Sequence, residues 1–216
     1  MMFLDRRDAG IHLVKRLGDY KDRKDVLVLA LPRGGVVTGF ELAVGLNVPL
    51  DVLIVRKIGF PYQPELAVGA VSETGAVFLN RDIISIYGVE NEYIEEEIKR
   101  QTGEISRRTT LYRKGKKITE LKDKTIILTD DGVATGATIK AAILTLKKER
   151  IKELALALPV APPGTADELR TMADKFICLE TPEDFMAVGE SYRDFTQVSD
   201  AEVVKLLKEA EDARKE

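Results

Sequence analysis

Residues 126–138 read Ile-Ile-Leu-Thr-Asp-Asp-Gly-Val-Ala-Thr-Gly-Ala-Thr, and no other stretch restricts the fold so tightly. The apolar run over 125–129 has the length of a buried strand. Two adjacent carboxylates, Asp130 and Asp131, follow at once, and then a loop of Gly and Thr. Ile139, Ala142, Ile143 and Leu146 come next at helical spacing. A strand, a short loop and a helix in this order build one half of a βαβ unit.

Each part of this stretch has a chemical use. A loop that runs into a helix N-terminus presents unpaired backbone N–H groups and the positive end of the helix dipole. That is a ready site for a phosphate. Gly136 lets the backbone approach closely, and Thr135 and Thr138 add hydroxyl donors. The acidic pair repels a phosphate, so it suits sugar hydroxyls or a hydrated Mg²⁺. The ligand read from these residues is a phosphorylated sugar with free hydroxyls, together with a metal ion.

The same alternation recurs along the chain. A strand is predicted at 26–30, broken by Pro32, Gly34 and Gly35. A helix carrying Val36, Phe40, Ala43 and Val44 follows, and a strand at 51–55 completes the unit. The second half predicts strands at 125–129, 153–158 and 175–179, separated by helices at 139–148 and 165–173. This predicts an α/β fold of three layers, α/β/α, around a central mostly parallel sheet. A helix at 6–17 is expected to bury Ile11, Val14 and Leu17. Residues 56–76 are rich in Gly and Pro. Residues 91–118 form a charged helical segment with Tyr93, Ile94, Ile98 and Ile105 as its apolar stripe. Residues 200–216 read as a C-terminal helix with Val203, Val204 and Leu207 inward. The whole chain reads as a single domain.

Leu31-Pro-Arg-Gly-Gly35 also lies between a strand and a helix, so it is a second anion loop, with Arg33 as a bidentate donor. Ligands of open α/β sheets bind beyond the carboxyl ends of strands, where the winding direction reverses. Strands 26–30 and 125–129 are therefore expected to be neighbours, with their loops facing each other across that crevice.

Composition removes several alternatives. Of 216 residues, 44% are hydrophobic and 32% charged, so the chain can build a core. No apolar run reaches the ~20 residues of a membrane helix. The stretch 1–7 lacks the apolar centre of a signal peptide, so a cytoplasmic location is expected. The net charge of −3 argues against nucleic acid as the main partner. One cysteine, Cys178, and one histidine, His12, exclude an internal disulfide, a cysteine-based zinc site and a histidine cage. Cys178 reads as a small core residue. The one basic cluster, Arg107, Arg108, Arg113, Lys114, Lys116 and Lys117, reads first as a solvated helix end and second as an anion or RNA patch.

At its two loops the chain resembles the type I phosphoribosyltransferases, which bind 5-phosphoribosyl-1-pyrophosphate (PRPP). Residues 126–138 follow that family's pattern of four apolar residues, two acids, two apolar residues and a small Thr/Gly tail. Two positions depart from it: Thr129 stands where the family usually has an apolar residue, and Gly132 where it usually has Leu, Ile, Val, Met or Ser. Arg33, Gly34 and Gly35 match the pyrophosphate loop, where a non-proline cis peptide would fall at Pro32–Arg33. Arg56 and Lys57 match basic residues that head a flexible catalytic loop, here running on through Gly59, Pro61, Pro64 and Glu65. The likeness covers about residues 24–180. It makes 181–216 a hood over the acceptor and leaves 79–124 as a helical insertion.

The resemblance implies transfer of phosphoribose from PRPP to a nitrogenous base, with release of pyrophosphate. Asp130, Asp131, Arg33 and Lys57 would be the catalytic residues. Ala134, Thr135, Gly136, Ala137 and Thr138 would hold the 5′-phosphate. Arg33, Gly34, Gly35, Arg56 and Lys57 would hold pyrophosphate with Mg²⁺, which Asp130 and Asp131 would support through water. Phe185 and Tyr192 are the candidates to stack on the base. The base itself stays open: the family's 6-oxopurine enzymes usually have Asp at the position of Ala134. A homodimer is expected. The alternative is a non-catalytic PRPP-sensing regulator, which the 107–117 cluster would favour.

Overall fold

Val26–Ala30 and Thr125–Thr129 are buried at every position, as strands covered on both faces are. In the computed structural model, which describes residues 2–61 and 63–214, these two strands lie side by side and parallel. Val26 pairs with Thr125 and Ala30 with Thr129. The elements run α1 (Arg6–Val14), β1 (Val26–Ala30), α2 (Gly35–Leu46), β2 (Leu50–Val52), β3 (Val55–Phe60), β4 (Gln63–Ser72) and β5 (Val77–Leu79). They continue with α3 (Arg81–Tyr87), α4 (Asn91–Arg113), β6 (Thr125–Thr129), α5 (Ala137–Lys148), β7 (Glu153–Val160), α6 (Pro163–Arg170), β8 (Lys175–Glu180) and α7 (Asp200–Ala213).

The central sheet has the order β2-β1-β6-β7-β8, and all its pairings are parallel. Strand alternation divides its side chains between two cores. Leu27, Leu29, Ile126 and Leu128 pack with Ile139 and Ile143 of α5 and Leu169 of α6. Val26, Val28 and Ile127 pack on the other face with Leu13 of α1 and Leu42 and Leu46 of α2. Each such side chain stabilises the fold by roughly 1.5–3 kcal/mol relative to exposure. This is the expected three-layer α/β/α arrangement. The winding reverses between β1 and β6.

The structure corrects three expectations. Residues 56–67, read as a surface loop, form β3 and the start of β4, joined in an antiparallel hairpin; Tyr62 and the side chains of Pro64 and Glu65 lie outside the described residues. The family resemblance also implies an antiparallel sheet strand from 66–79; it runs antiparallel, but in a separate sheet β3-β4-β5 rather than in the central one. One face of this sheet meets α4, where Ile58 and Val68 pack with Val89 and Ile94. The other lies along α5, where Ala70 and Phe78 share a cleft with Ala141 and Leu144. The third correction concerns α1. Ile11 is 46% exposed; Leu17 is buried as expected, and Ala9 and Leu13 complete the buried stripe.

In the basic cluster at the end of α4 the three arginines are engaged in ion pairs, while Lys114, Lys116 and Lys117 are exposed. Arg107 and Arg108 pair with Glu104 at 2.8 Å each, and Arg107 reaches Asp200 of α7. The Arg113 side chain is 9% exposed, paired with Asp51 at 3.3 Å and with Glu73, and it donates to the Val52 carbonyl. These arginines fasten α4 to the edge of the central sheet, to the small sheet and to α7.

Candidate active site

The site grows from the carboxyl ends of β1 and β6. Thr129 closes β6 and is fully buried, yet its hydroxyl donates to the Ala157 carbonyl at 2.8 Å. A threonine thus replaces an apolar residue without an unpaired polar atom. Asp130 and Asp131 follow. Asp130 Oδ1 accepts the Asp131 N–H at 2.8 Å. Burial pushes the Asp130 carboxyl well above the usual carboxylate range, and the neighbouring Asp131 charge adds to this. Burial also raises Asp131, opposed by the guanidinium of Arg6 beside it.

Gly132, the second departure from the family pattern, has a local cause. Its φ of +154° suits glycine, and a Cβ there would stand 2.5 Å from Val188 Cγ1. The hood presses on this point. The chain then passes through exposed Ala134 and Thr135 and turns at Gly136, with φ +76°. Helix α5 starts at Ala137, two residues before the first apolar residue of its stripe. Among the described residues no side chain caps its first turn, and no acid lies there. The first N–H groups of the helix and its dipole therefore lack a side-chain partner beside exposed Thr135 and half-buried Thr138, which suits an anion. Thr165 steadies the loop by donating to the Ala134 carbonyl at 2.9 Å.

The second loop lies against the first. The Leu31 N–H donates to the Thr129 carbonyl at 3.0 Å, which continues the β1–β6 pairing by one bond. The Pro32–Arg33 peptide is cis, as the resemblance implied. Gly34 and Gly35 then pass directly over the acidic pair. A Cβ on Gly35 would lie 2.8 Å from Asp130 Oδ1. The two anion loops and the acidic pair are thus brought to one point.

Other residues are placed less simply. Arg56 lies on β3 and is half-buried, with its Nε donating to Gln101 of α4 at 2.9 Å. Burial and the nearby charge of Arg108 lower its pKa. It points toward α4. Strand alternation puts Lys57 on the opposite face, the one Val55 shares with the core beneath α5. Tyr192 is 5% exposed, packed between Phe3 at 5.5 Å and Phe195 at 5.1 Å, centroid to centroid. Its hydroxyl donates to the Asp131 carbonyl. A ring held this way supports the acidic pair rather than stacking on a base. Phe185 lines a cavity of 350 Å³ in the hood with Glu180, Asp184 and Glu190.

Arg6 escaped the sequence reading. Its Nε donates to Asp131 Oδ2 at 2.6 Å and its Nη1 to the Thr196 carbonyl at 2.8 Å. Its guanidinium carbon lies 3.8 Å from the centre of the Phe195 ring. Cys178 is a half-buried residue whose thiol burial pushes up to about 11, so it is no nucleophile.

A parallel sheet with two glycine-bearing anion loops and an acidic pair at its switch point is the arrangement of α/β domains that take phosphorylated ligands. Residues 65–194 match the family model of the phosphoribosyl transferase domain, and the chain belongs to that family. It is similar to two proteins of Mycobacterium tuberculosis, from strains CDC 1551 / Oshkosh and ATCC 25618 / H37Rv. Both are provisionally named phosphoribosyl transferases. Each is 43% identical over 209 residues, which is 97% of this chain and 47% of the relative. The chain thus spans about half the length of these curated relatives. The crystal structure of TT1426 from Thermus thermophilus superposes with a TM-score of 0.82 at 39% identity, covering 97% of this chain and 99% of that one. Among the described residues no helix is long and apolar enough to cross a membrane.

Proposed function

We propose that this chain binds PRPP with Mg²⁺ and transfers its phosphoribose to a nitrogenous base, releasing pyrophosphate. The observation that carries this reading is the meeting of the two loops over Asp130 and Asp131. A Cβ on Gly34 would collide with Asp131 and one on Gly35 with Asp130, so a ligand bridging the loops must lie across the acidic pair. PRPP has phosphates at both ends and hydroxyls between, which fits this order of charge.

In this reading the backbone of 135–138 and the hydroxyls of Thr135 and Thr138 hold the 5′-phosphate. Asp130 and Asp131 accept from the ribose hydroxyls and fix the ring. Arg33, Gly34 and Gly35 receive the pyrophosphate, and Lys57 adds charge from the small sheet. The transition state is oxocarbenium-like, so charge builds on the leaving group, and fixed cations and N–H groups aimed there lower the barrier. Among the described residues no three His, Cys, Asp or Glu side chains gather as a metal cage. The oxygen donors of the acidic pair fit a hydrated Mg²⁺ held mostly by the ligand's own phosphates. When bound, that ion would neutralise the departing pyrophosphate.

The PRPP-sensor alternative drew on the basic cluster at 107–117, and the engagement of its three arginines in ion pairs within the fold leaves the enzyme reading the better supported. The test is a panel of nitrogenous bases offered with PRPP and Mg²⁺, read as pyrophosphate release. Release with any member supports the transferase. PRPP binding in calorimetry with no release across the panel supports the sensor, and absence of PRPP binding overturns both.

A further inference from the structure

Asp131 is held at both ends by parts of the chain far from it in sequence. Its carboxylate accepts from Arg6 on α1, and its carbonyl accepts from the Tyr192 hydroxyl. Arg6 in turn donates to the Thr196 carbonyl and lies on the face of Phe195, both in the segment that follows β8. The Arg6 side chain is 10% exposed and that of Asp131 15%. Asp130, by contrast, accepts from the backbone N–H of its own neighbour, Asp131. The acidic pair is therefore unequal: one carboxylate is anchored from across the fold and the other locally.

The position of Arg6 is also tied to the second loop. A Cβ on Gly34 would stand 2.9 Å from Arg6 Nε as well as against Asp131. One guanidinium thus borders the glycine loop, the acidic pair and the hood backbone. Only arginine has a planar fork that donates in two directions while its face stacks on an aromatic ring. A lysine in its place keeps the charge and loses the fork. A merely structural ion pair needs none of this, because a buried pair contributes little net stability over a well-packed apolar replacement.

We infer that Arg6 is a positioning residue for phosphoribose. It holds the Asp131 carboxylate and the Phe195–Thr196 segment as one unit, so that the acidic pair is in place for the sugar hydroxyls only while α1 and the hood are docked together. The inference rests on PRPP being the ligand. It assigns to α1, which lies outside the two loops, a direct part in ligand affinity.

The test is calorimetric binding of PRPP with Mg²⁺ to the native chain, Arg6→Ala and Arg6→Lys, with thermal melts of each. Arg6→Ala is expected to weaken binding by about tenfold or more, the range for a lost hydrogen bond to a charged group. Arg6→Lys is expected to fall between Arg6→Ala and native. Adding methylguanidinium to Arg6→Ala is expected to restore affinity, which it would not do for a general loss of packing. If Arg6→Ala shows no cooperative melt, Arg6→Lys carries the comparison, and affinity equal to native overturns the inference. Native-like binding by a folded Arg6→Ala, or no effect of methylguanidinium on it, also overturns it and leaves the proposed function standing. Failure of the native chain to bind PRPP overturns the proposed function and this inference together.

Discussion

The Cβ that Gly34 lacks would stand 1.8 Å from Asp131 Oδ2. No side chain fits between the two loops at that distance, so the contact fixes how closely the 32–35 loop lies over the acidic pair. Gly34→Ala is expected to force the loops apart, which costs stability by about 1–3 kcal/mol, as overpacking does, and lowers PRPP affinity. Gly18→Ala is the control, since a Cβ there meets nothing within 4 Å. Equal melting temperatures for the two variants would show that the loops separate freely.

The loop that enters α5 makes a second prediction. Thr135 and Thr138 flank the uncapped start of α5. Thr135→Val together with Thr138→Val should weaken PRPP binding by about 1–3 kcal/mol, with little change in melting temperature because neither side chain is buried. Unchanged affinity in calorimetry would move the 5′-phosphate elsewhere.

The acidic pair makes pH-dependent predictions of opposite sign for stability and for binding. Burial raises both carboxyls. Unfolded aspartates ionise near pH ~3.9, and the folded pair at higher pH. The pair's contribution to stability is therefore full below the unfolded value and is lost as pH rises through the folded values. Asp130→Asn is expected to raise the melting temperature at neutral pH. Binding of Mg²⁺ and PRPP favours the ionised pair, so affinity should rise with pH and binding should release protons. Calorimetry in buffers of different ionisation enthalpy measures that release, and a buffer-independent enthalpy would count against it.

The buried ion cluster that fastens α4 makes a prediction about stability alone. Arg113→Met removes the partner of Asp51 and Glu73 and leaves two carboxylates near each other in the interior. Such a break costs about 3–5 kcal/mol, read as a drop in the denaturant midpoint. A loss below ~1 kcal/mol would mean that water reaches these acids.

How much of this was legible in the sequence follows from how local each signal is. The β6 stretch and its loop could be read because strand, acids and helix start are contiguous, and the β1 loop because Pro and Gly mark a sharp end to an apolar run. The hairpin of β3 and β4 was missed for a physical reason. Its pairing shifts register on both sides of Gly59, so the two-residue alternation that announces a strand is broken, and Gly and Pro then read as a loop. Arg6 was missed because its partners, Asp131 and Thr196, lie 125 and 190 residues away. On a helix surface it reads as one more solvated charge. Tyr192 was singled out as an aromatic near the base, but no local pattern showed that its hydroxyl would be spent on Asp131.

The same hairpin separates two cations that looked equivalent in sequence. Arg56 is half-buried and bonded to Gln101, so its loss removes a contact between β3 and α4. Lys57, one residue on, faces the side of α5 by strand alternation. Arg56→Ala is therefore expected to lower the melting temperature by a few degrees, as a loss of about 1 kcal/mol does in a domain of this size, and to leave pyrophosphate affinity near native. Lys57→Ala is expected to lower turnover more than it weakens PRPP binding, because the leaving pyrophosphate gains charge in the transition state. Melting curves with pyrophosphate and PRPP titrations on both variants decide the matter. If Arg56→Ala loses affinity and Lys57→Ala does not, the working cation of β3 is the one that faces α4, and the site extends toward Arg100 and Gln101.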